Sequence, residues 1–153
     1  MIAIDTSYRL NTAQNDIGET ARRRPHRTPI ELDRGRAVDI YHIWFNLKDG
    51  VRDLDFVESA RSYLEHLKSG GQLAAYRITR CKLGLTHSSL PEWHISLDFE
   101  GLAQLDRAFQ HVSGRRDPVE SFHHAVNSKV KDARFALYRD FPDDWRYRGE
   151  ERF

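Results

Sequence analysis

The chain has one cysteine, Cys81, among 153 residues. A disulfide within the chain is excluded, and the usage fits a reducing compartment. Cys81 falls in a strand-like run and reads as a small apolar packer. The alternative is a catalytic thiolate, which would require neighbours that lower its pKa. No apolar run approaches the roughly 20 residues of a membrane span. The start, Met1-Ile-Ala-Ile-Asp-Thr-Ser-Tyr-Arg9, has no basic segment followed by an apolar one, so no signal peptide is expected. Charge of either sign is not in excess: 24 Lys and Arg stand against 23 Asp and Glu, a formal net of +1. That balance argues against a nucleic-acid or membrane partner. Internal repeats and low-complexity blocks are also missing. The expectation is a cytoplasmic protein.

What remains is 39% hydrophobic and 31% charged, the make-up of one ordinary globular domain. The basic charge collects at the front, where residues 1–37 hold seven Arg against five Asp and Glu. This segment has few core-forming residues and no periodicity, so it reads as a flexible basic extension. Its triplet Arg22-Arg23-Arg24 is either a solvated tail or a tether. A start near Val38, with the extension arising from a misassigned start codon, is a further hypothesis.

Folding signals begin at Val38. Four strand-like runs follow, Val38–Leu47, Leu73–Gly84, Glu92–Phe99 and Ala133–Phe141, each with one apolar parity. Between the first two, a helix is expected over Leu54–Ser69, N-capped by Asp53 and stopped by Gly70-Gly71. Its apolar stripe is Leu54, Val57, Ala60, Tyr63, Leu64 and Leu67. After the third run, a helix over Leu102–Val112 presents Leu102, Leu105, Phe109 and Val112. Another begins at Asp117-Pro118-Val119-Glu120, where Asp is the cap, Pro the first helical residue and Glu the third. Its stripe is Val119, Phe122, Val126 and Val130. The order β-α-β-β-α-β with right-handed crossovers gives a ferredoxin-like α+β sandwich over residues 38–142. Its four-stranded antiparallel sheet has strands one and three at the centre. The tail, residues 143–153, is polar with three aromatics, which suggests docking.

Successive strand side chains point to opposite faces. One face takes Tyr41, Ile43, Phe45 and Leu47, then Trp93, Ile95, Leu97 and Phe99, then Phe135, Leu137 and Phe141, all expected beneath the helices. The other takes Ile40, His42, Trp44 and Asn46, then His94, Ser96 and Asp98, then Arg134, Ala136 and Tyr138, with Arg77 and Thr79 from the second strand. A face with this mix of aromatic, His, Asn and Arg suits an interface or pocket better than bare solvent.

The strand order resembles the dimeric α+β barrel superfamily. So do the ending Phe135-Ala-Leu-Tyr-Arg-Asp-Phe141 and the preceding helix Val119-Glu-Ser-Phe-His-His-Ala-Val-Asn-Ser-Lys-Val130. The resemblance covers residues 38–142 and points to an uncharacterised bacterial family. It implies a homodimer that packs sheet against sheet. It also implies a cofactor-independent small-molecule enzyme, of monooxygenase or isomerase type, or a ligand-binding protein. The superfamily shares a scaffold, not a reaction. His123 sits where stress-response barrels carry a helix histidine, but their proline-flanked pattern is missing.

On that scaffold the candidate acid/base residues are His42 and His94, with Trp44, Asn46, Arg77 and Tyr138 as substrate-binding candidates. The bland alternative is that His42, His94 and Asp98 only hydrogen-bond across a non-catalytic dimer. No metal is expected: His94 and Asp98 are four residues apart on a strand, about 13 Å, too far to share one ion. A Ser-His hydrolase built on Thr86-His87-Ser88-Ser89 lacks an orienting carboxylate and a nucleophile elbow. His123 and His124 are adjacent rather than at metal-ligand spacing. An RNA-recognition domain shares the strand order, but Glu92-Trp-His-Ile-Ser-Leu-Asp-Phe99 lacks its basic-Gly-aromatic pattern.

Overall fold

A computed structural model describes residues 38–85, 87 and 89–141. The expected basic extension and the tail beyond Pro142 lie outside the described residues. The elements run β1 (Asp39–Leu47), α1 (Asp53–Ser69), β2 (Ala75–Arg80), β3 (Trp93–Phe99), α2 (Leu102–Ser113), α3 (Val119–Asn127) and β4 (Val130–Arg139). One antiparallel sheet has the order β2-β3-β1-β4, so β1 and β3 are central as expected. The helices cover one face.

The core is the apolar parity of the central strands met by the helices. Ile43 and Phe45 of β1 and Trp93, Ile95, Leu97 and Phe99 of β3 are buried against α1, α2 and α3. On α1 the buried stripe is Phe56, Ala60, Tyr63, Leu64 and Leu67. Phe56, not Leu54, starts this stripe: Leu54 is 76% exposed, whereas Phe56 lies four residues before Ala60 and is fully buried. Asp53 is the first helical residue rather than the cap, and its Oδ1 accepts from the N–H of Leu54. The helix ends as expected: Gly71, at φ +71°, lets the N–H groups of Gly71 and Gln72 return to the carbonyls of Lys68 and Leu67.

Five further expectations are corrected. The second strand stops at Arg80, because Leu83 and Gly84 both take positive φ and turn the chain away. On α2 the buried positions are Gln104, Ala108 and Val112, while Leu102 is half exposed. Gln104 is buried because its side chain is fully used: Oε1 accepts from the Glu100 N–H and Nε2 donates to the Gly71 carbonyl. The last strand begins at Val130, so Val130 ends the core from a strand and not from α3. Phe135 and Leu137 point to the helix side, as their parity requires, yet are 38% and 47% exposed, and Phe141 is 80% exposed. β4 stands last in the order of the described strands. Asp117 does assist α3, with Oδ1 accepting from the N–H and hydroxyl of Ser121, but Pro118 and not Asp117 is the flanking residue.

Candidate functional site

The ladder registers align the uncovered face in rows. Trp44 stands opposite His94 on one side and Arg134 on the other, and His94 stands opposite Thr79. In the next row His42 lies between Ser96 and Ala136, with Arg77 beyond Ser96. In the third, Ile40 lies between Asp98 and Tyr138.

These rows bring His42 and His94 together diagonally. Nδ1 of His42 is 2.9 Å from Nε2 of His94. The ring centroids are 5.1 Å apart and the planes differ by 13°. A nitrogen separation inside van der Waals contact, with nearly parallel planes, means the rings meet edge to edge through one N–H···N hydrogen bond. The Thr79 hydroxyl lies 3.2 Å from both Nδ1 and the backbone carbonyl of His94. That hydroxyl has one proton, and the carbonyl can only accept. One proton arrangement satisfies every contact: Thr79 donates to the carbonyl, His94 Nδ1–H to Thr79, and His42 Nδ1–H to His94 Nε2. It leaves Nε2 of His42 as a lone pair with no hydrogen-bond partner among the described residues.

Aromatic rings flank the pair. Trp44 stacks on both imidazoles, with centroids 5.4 Å from His42 and 4.9 Å from His94. Tyr138 meets His42 edge-on at 5.1 Å. Burial lowers the pKa of His42, partly opposed by the charge of Asp98, and burial together with His42 lowers that of His94. Both are held neutral near pH 7. A folded-state pKa below the unfolded value contributes stability that is complete above about pH 6.5 and lost as pH falls through the lowered value. The urea midpoint is therefore expected to drop between pH 7.5 and 5, and the drop to shrink in a His42→Gln/His94→Gln variant. An unchanged slope in that variant would assign the drop to other groups.

The other predicted residues are placed apart from this pair. Asn46 is committed at the strand ends, where Oδ1 accepts from the Glu92 N–H and Nδ2 donates to Asp132. It borders a groove of about 580 Å³ shared with Asp53, Arg80, Glu92, Lys131 and Asp132. The cations there are already paired, Arg80 with Asp53 and Glu92, and Lys131 with Asp49. Arg77 is exposed on edge strand β2 and borders a second groove, of about 550 Å³, with Arg61, Glu65, Lys68, Tyr76 and Ile78. Thr79 was legible from its parity only as a face residue, and its contact with His94 is what the register adds. Arg134 donates to the carbonyl of Ser89, tying the β2–β3 loop to β4. Within that loop His87 contacts Ser89 through Nδ1 at 2.7 Å, and Thr86 and Ser88 lie outside the described residues. Cys81 is half-buried. His123 is half-buried beside Asn127, with His124 exposed. Among the described residues no group of three His, Cys, Asp or Glu side chains could hold a metal ion, and no helix is long and apolar enough to cross a membrane.

Comparison with known proteins agrees with this fold. Residues 38–153 match the model of one family, described as a family of unknown function (DUF6614). No curated protein matches the sequence. Among solved structures, the hydroxynitrile lyase from Passiflora edulis is similar at 8% identity and a TM-score of 0.53, over 71% of this chain and 98% of that one. The Arabidopsis thaliana protein At3g17210 is similar at 14% identity and 0.51, over 65% and 92%. A dimeric ferredoxin-like protein of unknown function from Jannaschia sp. CCS1 is similar at 11% identity and 0.50, over 66% and 97%. At such identities the likeness is one of fold, the ferredoxin-like sandwich.

Proposed function

We propose that this chain, which belongs to the DUF6614 family of unknown function, works as a homodimer whose two open sheet faces meet and enclose a small-molecule site built on His42 and His94. The observation that carries this reading is the hydrogen-bonded imidazole pair at 2.9 Å, set between Trp44 and Tyr138 on a sheet face that no helix among the described residues covers. A lone chain would leave that aromatic face in water, and a second copy would bury it. The Jannaschia protein of the same fold is described as dimeric, and the Passiflora protein as a hydroxynitrile lyase, so the scaffold accommodates both pairing and small-molecule catalysis.

The chemistry that suits the pair is proton transfer. The His42 Nε2 lone pair accepts a proton from a weakly acidic C–H or O–H of the substrate. The Nδ1–H bond to His94 fixes the tautomer that leaves Nε2 free, and Thr79 fixes His94 in turn. The imidazolium formed is favoured by the stacked Trp44 ring and by the Asp98 carboxylate. Arg77, at the rim, holds an anionic group of the substrate. Such a base serves an isomerisation, or the deprotonation that opens a cofactor-independent oxygenation.

Native mass spectrometry of freshly purified protein tests the site. The expected result is a dimer that carries, or titrates with, a small organic molecule, and whose His42→Ala and His94→Ala variants bind it at least about tenfold more weakly. Unchanged affinity in both variants would remove the two histidines from the site. A dimer that binds nothing would instead support a non-catalytic interaction module.

A further inference from the structure

Strand β2 stands first in the order of the described strands, at the end away from β4. The Cys81 N–H donates to the Glu92 carbonyl at 2.8 Å, and the β2–β3 register runs without a shift from Arg80↔Trp93 to Ala75↔Asp98. Bonded positions alternate in an antiparallel ladder, so Thr79 and Arg77 turn their peptide groups to β3. Tyr76 and Ile78 turn theirs outward, with no strand beyond them among the described residues. The side chains of these two residues take the helix-side parity and pack against the core.

Tyr76 and Ile78 also line a groove of about 550 Å³ between β2 and α1. Its helical wall is Arg61, Glu65 and Lys68. Arg61 and Lys68 lie two helical turns apart, on one side of α1 and about 10 Å from each other along its axis. Glu65 stands between them, but its Oε1 accepts from the Tyr76 hydroxyl at 2.7 Å. Arg77 adds a third cation from the strand. Among the described residues Arg61, Lys68 and Arg77 form no ion pair. The groove at the strand ends differs, because Arg80 and Lys131 there are already held by Asp53, Glu92 and Asp49. Open cations around one engaged carboxylate favour an anionic occupant.

We propose that the β2 edge docks an extended acidic segment of a partner protein as an added strand. Its backbone pairs with the outward peptide groups of Tyr76 and Ile78. Alternate side chains of such a strand lie about 7 Å apart on the face toward α1, and carboxylates there meet Arg61 and Lys68. Arg77 takes the opposite parity, on the open face, and adds attraction without a required contact. A basic segment would be repelled by the same three charges. A small anion would use the cations alone and leave the peptide groups of Tyr76 and Ile78 to water. The docking is independent of the proposed histidine site, which lies on β1 and β3.

A fluorescently labelled Glu-Val-Glu-Val-Glu-Val-Glu peptide, titrated with the full chain at low salt, tests the charge. Anisotropy is expected to show saturable binding below about 1 mM, at least about tenfold weaker for an Arg61→Glu/Lys68→Glu variant and absent for the peptide with Lys in place of Glu. Both substituted positions are exposed on α1, so the variant is expected to keep its fold. Amide hydrogen exchange, resolved by residue with NMR, tests the strand. Saturating peptide is expected to slow the Tyr76 and Ile78 amides at least about tenfold, with Arg77 and Thr79 little changed. No binding, or equal binding by the variant, would overturn the proposal. So would binding that leaves the Tyr76 and Ile78 amides unaltered, which would reduce the groove to a site for any small anion. Slow exchange of both amides in the protein alone would assign the edge to this chain or a second copy and overturn it too. Should the variant not fold, the exchange of Tyr76 and Ile78 in the wild type decides.

Discussion

Replacing Phe45 by alanine is expected to lower the unfolding free energy by about 3–5 kcal/mol, the range for a fully buried phenylalanine. Phe45 has no exposed surface and lies on a central strand. Its ring centroid is 5.1 Å from that of Phe56 and 6.4 Å from that of Trp93, and those two meet edge-on at 5.4 Å. The three rings join β1, α1 and β3, so losing the central one loosens both layers at once. Because β1 is bonded on both sides, the backbone cannot collapse to fill the void, which places the cost toward the upper end. Typical domains hold only about 5–15 kcal/mol in total, so a marginal variant would be largely unfolded at 37 °C. Urea unfolding measures the loss; a change below about 1 kcal/mol would place the centre of the core elsewhere.

Replacing Trp44 by glutamate is expected to split the proposed dimer while leaving the fold of each chain intact. Trp44 is only half-buried within one chain and makes its ring contacts with His42 and His94 on the uncovered face. A carboxylate there stays hydrated in the monomer. In the dimer it would be desolvated, and the twofold symmetry places a second one nearby. A penalty of a few kcal/mol per interface weakens association by more than about a hundredfold. Sedimentation velocity reads the change: the wild type is expected near twice 17.9 kDa and the variant near 17.9 kDa. Far-ultraviolet circular dichroism is expected to be unaltered. Equal sedimentation of the two proteins would remove Trp44 from the interface.

The sheet was largely legible because its signal is a two-residue period, and parity alone assigns faces. Tyr41, Ile43, Phe45, His42 and Trp44 all fall where alternation puts them, and the ambiguous Arg77 and Thr79 fall on the open face through their pairing with Ser96 and His94. The helical stripes were less legible. Leu54 and Leu102 carry large apolar side chains at helix starts, where the first turn overhangs the sheet and hydration is not lost. Gln104 reads as surface because its burial depends on a distant partner, the Gly71 carbonyl. The same limit governs the site. Parity places His42 and His94 on one face, but their contact depends on the β1–β3 register, which pairs Trp44 with His94 and brings His42 diagonal to it. Asn46 shares their parity yet belongs to the strand ends, because the β1–β4 ladder shifts between Trp44 and Asn46.

The pairing of open faces is tested most directly by isotope-filtered nuclear Overhauser spectroscopy on a dimer mixed from labelled and unlabelled chains. Contacts between chains are expected to converge on the rings of Trp44 and Tyr138 and the side chains of Ile40, His42 and His94. Contacts confined to the helices, or none at concentrations where the chain is dimeric, would contradict it.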